Sequence, residues 1–110
     1  MPKFITIGYG DREGYDRTSP SVRDAAHAHD AKLVESGVVM GIAGRAVHVR
    51  NHNAAHVLTT DGPYMDSKLP IAGFSLIEAA NMAEAVKIVS QAPCAVAYGV
   101  VEVWPLEDMP

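Results

Sequence analysis

Cysteine is nearly missing from this chain: Cys94 stands alone. A single cysteine allows no internal disulfide and no thiolate metal cluster, so a reducing cytoplasm is the expected setting. Long apolar runs are missing as well. No window approaches the ~18 apolar residues that cross a bilayer, and the opening MPKFITIGYGDREG carries too short an apolar run for a secretory signal. Basic clusters are also missing, aromatic residues make up only 6%, and the net charge is −4. Together these argue against nucleic acid or an anionic membrane as a partner. What is present is an apolar fraction of 48% and a charged fraction of 20% over 110 residues, the composition and length of one globular domain. There are no repeats, low-complexity tracts or linkers.

Along the chain, KFITIGY (3–9) reads as a β-strand ending in a polar loop, GDREGYDRT. A helix follows, with Thr18 or Ser19 as N-cap and Pro20 in the first turn, where its missing N–H costs nothing. Val22, Ala26, His29 and Leu33 recur at helical spacing, and Gly37 is placed to end the helix. Two β-like runs come next, VVMGIAGRAVHVRN and AAHVLTTD, with His52 and Asn53 at the turn. AGFSLIEA (72–79) forms another strand. Asn81 with Glu84 three residues later marks a capping box, Met82, Ala85, Val86 and Val89 form the stripe of a second helix, and Pro93 stops it. AVAYGVVEVW is the last strand. The order β-α-β-β-β-α-β, less one extra hairpin strand, predicts a ferredoxin-like split βαβ arrangement: an α+β fold with an antiparallel sheet and two helices on one face.

The strands are apolar on both sides. Val101 and Val103 alternate with Val100 and Trp104, as Ile77 and Ala79 do with Phe74 and Leu76. Two helices cover one face only, and a solvated face would alternate with polar residues. The uncovered face predicts a homodimer that packs sheet on sheet.

Five histidines raise the question of a metal. His48, His52 and His56 are spaced by four, which suits a helix, but they fall on a strand–turn–strand segment with no carboxylate between Val38 and Thr60. No metal site is therefore expected there. His29 differs, because it interrupts the apolar stripe of the first helix, whereas His27 and Asp30 fall on faces read as solvated. A buried imidazole needs a partner and becomes an acid–base group when a carboxylate orients it. The candidate carboxylates lie in TTDGPYMDSK (59–68), as Asp61 and Asp66. Asp61 begins a turn stiffened by Pro63, and Tyr64, Ser67 and Lys68 offer a hydroxyl or an ammonium each. Spacing alone reads this stretch as a stiff hairpin loop with solvated charges.

The run TDGPYMDSK, the strand AGFSLIEA, then MAEAVKIVSQAP and VVEVWPL resemble the YCII-related family, also called DGPF-domain proteins. The likeness covers most of the chain and is densest from Thr60 to Leu106. It implies a ferredoxin-like subunit that dimerises into an α/β barrel. It also implies a cleft in each subunit that holds a histidine of the first helix and the aspartate of the DGP turn. Those residues correspond to His29, or else His27, and to Asp61. Relatives include a dehydrochlorinase of a chlorinated hydroxyhydroquinone. The chain departs from the family pattern at Asp66, where Glu is common, at Leu69, where a second acid is common, and at Trp104, where Arg is common.

Two functions are expected from these readings. One is a small enzyme without metal or organic cofactor, of lyase or isomerase type, acting on a small polar, cyclic or aromatic molecule. In it His29 is the acid–base group, Asp61 orients it, and Arg45 or Lys68 stabilises developing negative charge. The other is a ligand-binding or regulatory homodimer without turnover.

Overall fold

The computed structural model describes all 110 residues, Met1–Pro110. Six strands and four helices form in the order β1 (Lys3–Tyr9), α1 (Arg12–Arg17), α2 (Pro20–Glu35), β2 (Val39–Ile42), β3 (Val47–Arg50), β4 (Leu58–Asp61), β5 (Ile71–Glu78), α3 (Met82–Val89), α4 (Pro93–Val96) and β6 (Val100–Pro105), with a 3₁₀ turn at His52–Ala54. The main sheet has the order β2-β5-β1-β6, every neighbour antiparallel. With β3 and β4 set aside, this is the expected ferredoxin-like topology.

Local signals explain most boundaries. Ser19 stands at the N-cap position of α2 without a side-chain capping bond, and Pro20 takes the first helical position. At the other end the Gly37 N–H donates to Val34 O and the Val38 N–H to Leu33 O. Gly37 sits at φ +103 between them, a glycine-dependent Schellman cap. Asn81 opens α3 by accepting from the Glu84 N–H at 2.9 Å.

Four expectations change. The run 38–51 is two strands, not one: β2 pairs with β5 in the main sheet, while β3 pairs only with β4. The polar loop after β1 contains α1, capped by Asp11, whose carboxylate accepts from the Gly14 N–H. Pro93 does not stop α3, which ends at Val89; it opens α4, since a proline's missing N–H is harmless at a first helical position. The last strand accordingly begins at Val100 rather than Ala95, because Gly99 lets the backbone pass close under the Tyr9 and Cys94 carbonyls.

Phe4, Ile77, Ala79 and Ala85 form the core, flanked by Val38, Ile88, Val89 and Val103. The core lies between α3 and the face of the sheet that carries Phe4, Thr6 and Gly8 of β1. Thr6 and Ser75, paired across β1 and β5, satisfy each other's hydroxyls on that face. The opposite face has no helix over it. There Val39 is 69% exposed and Trp104 54%. On the same face, towards the β6 edge, the Tyr9 hydroxyl donates to Glu102 Oε1 at 2.8 Å. That bond to a carboxylate, with burial and the carboxylate's charge behind it, holds the Tyr9 phenol above its ordinary pKa.

Candidate functional site

On the helix-covered face the sheet has a hole in its side-chain layer. Gly8 of β1 and Gly73 of β5 are direct cross-strand partners. A Cβ at Gly8 would lie 3.0 Å from Cys94 Sγ, and one at Gly73 would lie 2.6 Å from Gly41 O. Neither position tolerates a side chain without movement, and the pair forms part of the floor of a cleft of about 440 Å³. Its walls come from three directions: His27 and Asp30 from α2, Met40 and Ile42 from β2, and Pro93 and Cys94 from α4. A mouth of about 430 Å³ shares His27 and Cys94 with it and opens at Asp11, Arg12 and Tyr15.

His27 and Asp30 reach the cleft together because residues three apart share a helix face. Asp30, expected in solvent, is half-buried. Burial raises its carboxyl pKa, and the nearby charges of His29 and His27 only partly offset that rise. Cys94 is half-buried beside it, and burial, then the Asp30 charge, raise its thiol pKa, which keeps it a protonated thiol rather than a reactive thiolate. The Tyr15 hydroxyl and His27 Nε2 lie 3.0 Å apart at the mouth. Tyr15 is itself steadied by Arg23, whose guanidinium sits 4.6 Å above its ring.

His29 is half-buried but turned to another element. Its Nε2–H donates to Ile88 O of α3 at 2.8 Å, and it lines none of the larger cavities. Asp61 and Arg45 do meet, as walls of a separate hollow of about 780 Å³ at the root of the β3–β4 hairpin. Within one chain His29 and Asp61 therefore line no common cavity. Tyr64, Ser67 and Lys68 are all exposed. Tyr64 packs edge-on against His48 at 5.8 Å, and the Ser67 hydroxyl donates to Leu69 O. His48 Nδ1–H donates to Gly62 O, which ties the DGP turn to β3.

The sequence carried a signal for this cleft that spacing alone did not rank. Glycines stand in GYG and in AGF, on strands that the topology places side by side. A glycine in a strand interior marks close approach or open space, and only the register shows that Gly8 faces Gly73.

No helix is long and apolar enough to cross a membrane. No curated protein matches the chain closely enough to lend it an activity. The family description "YCII-related domain" matches residues 3–110. With the fold, the DGP turn and a match over nearly the whole length in agreement, the chain belongs to the YCII-related domain family.

Proposed function

We propose that this protein is a small enzyme that moves protons on a small polar, ring-shaped metabolite bound over the Gly8–Gly73 pair, a lyase or isomerase needing no metal or organic cofactor. The observation that carries the reading is Asp30: a carboxyl half-buried in an apolar cleft, its pKa raised by that burial, beside an accessible histidine. Perturbed titratable groups in a cleft are the usual equipment of acid–base catalysis. In this assignment His27 exchanges the proton, Asp30 accepts or returns it, and the Tyr15 hydroxyl holds the His27 ring. His29 positions α2 against α3 through Ile88 and does not touch the substrate. Arg45 and Asp61 bind polar groups of a ligand long enough to reach their hollow. Elimination of the dehydrochlorinase kind fits such a site, since proton removal is its demanding step.

One observation favours a reading without turnover. His27 is held by a phenol rather than by a carboxylate, an arrangement that serves to bind a polar ligand as readily as to move a proton. Incubation with a chlorinated hydroxyhydroquinone, followed by chloride release and by NMR of the ring, separates the two. Under the catalytic reading His27→Ala lowers turnover by about 10²–10⁴-fold and His29→Ala leaves it nearly unchanged at equal folded fraction. A large loss for His29→Ala alone would move the role to His29. A ligand that binds and is recovered intact supports the binding protein.

The assembly belongs to the same reading. The apolar sheet face that carries Val39, Phe74 and Trp104 supports a homodimer joined sheet to sheet.

A further inference from the structure

Residues 43–70 form an arm that leaves the body after β2 and returns at β5. Not one of them is buried, and only Ala43, His48, Gly62 and Leu69 are half-buried. The arm is two four-residue strands, β3 and β4, paired with each other and with nothing else. A lone two-stranded hairpin is marginally stable in water, yet this one also exposes apolar side chains: Val49 is 61% exposed, and Leu58 and Val57 are comparable. The arm stretches the molecule to a radius of gyration of 15.9 Å, against about 13 Å for a compact chain of this length.

Charge indicates what covers it. Within 43–70, Arg45, Arg50 and Lys68 face Asp61 and Asp66, a net of +1, and three of the five histidines lie there too. The remaining six cations of the chain stand against eleven carboxylates, a net of −5. On one side of the arm Tyr64 is 74% exposed, with the Arg50 guanidinium 5.6 Å from its ring and Leu58 across from Arg50 in the ladder. Tyrosine and arginine flanked by an aliphatic residue are the groups that dominate binding energy at interfaces. We propose that the arm of each copy docks, by its Tyr64–Arg50–Leu58 side, on the acidic body of a second copy. The second copy then closes the open side of the hollow between Arg45 and Asp61. A two-fold axis makes the exchange mutual. This rests on the homodimer proposed above and adds the element that secures it.

The test is the mass of the full chain by size exclusion with light scattering, as a function of concentration and salt, for the wild type, Leu58→Asp, Arg50→Glu and Tyr64→Ala. All three sites are exposed, so circular dichroism should show an unchanged fold. The expected result is a dimer whose Kd rises at least about tenfold in Leu58→Asp and in Tyr64→Ala. In Arg50→Glu the wild type's salt dependence should shrink, because exposed ion pairs are screened by salt. A dimer with an unchanged Kd in all three variants overturns arm docking and leaves the sheet-to-sheet dimer standing. A monomer at every concentration overturns both.

Discussion

Asp30 shows how little of a residue's chemistry lies in its own sequence position. Read along α2 it belongs on a solvated face; it is half-buried because the fold sets it in the wall of a cleft shared with Met40, Pro93 and Cys94. Its raised pKa has a consequence for stability. A carboxyl that binds its proton more tightly in the folded state than in the unfolded chain stabilises the fold while both forms are protonated. That contribution is lost as pH rises from the ordinary carboxylate range through the raised value. Asp30→Asn, which cannot ionise, should gain stability relative to the wild type between pH 4 and pH 7. The gain should stay below about 1 kcal/mol, because solvent reaches the group and screens its charge. Urea unfolding at the two pH values measures it; a wild type that gains on the variant as pH rises would show that Asp30 is stabilised as an anion.

At the scale of elements, what was legible was what is local. Pro20 at the first position of α2, Gly37 past its end, and Asn81 accepting from the Glu84 N–H each act within a few residues, and each begins or ends a helix where its chemistry requires. Asn81→Ala should therefore cost about 1 kcal/mol, seen as a fall of about 4–8 °C in Tm; no fall would mean that packing of Ala85 alone holds the start of α3. The elements that escaped are set by distant partners. Gly14 looks like a loop glycine but is required because a Cβ there would lie 2.5 Å from Ala97 O, far along the chain. Ala95 to Ala97 read equally well as strand or helix, since a short apolar run has no period of its own. The site divided in the same way. The DGP turn was visible as a motif, but that Arg45 and Asp61 line one hollow, and that α2 turns His29 towards Ile88 and away from it within one chain, depends on packing between distant elements.

For the whole molecule, the small core matters most. Ten of 110 residues are buried, so one chain by itself draws little stability from its interior. If the exposed sheet face and arm are covered by a second copy, folding and association share one equilibrium. Each tenfold rise in protein concentration then adds about 1.4 kcal/mol to the free energy that separates folded dimer from unfolded chains, and Tm climbs with it. Differential scanning calorimetry over about a hundredfold in concentration reads this directly, and a constant Tm would mean that the single chain carries its own stability.

The sheet order also sets a timetable. β1 has neither neighbour until late, because Phe4 must meet both Ile77 and Pro105. Val47 needs only Asp61, fourteen residues on, to close its hairpin. On a ribosome both strands of the hairpin emerge while the first strand still has no partner, and the central pairing waits for β5 and then β6. Throughout that interval β1, with Phe4, Ile5 and Ile7 uncovered, is the segment most in need of a chaperone's protection.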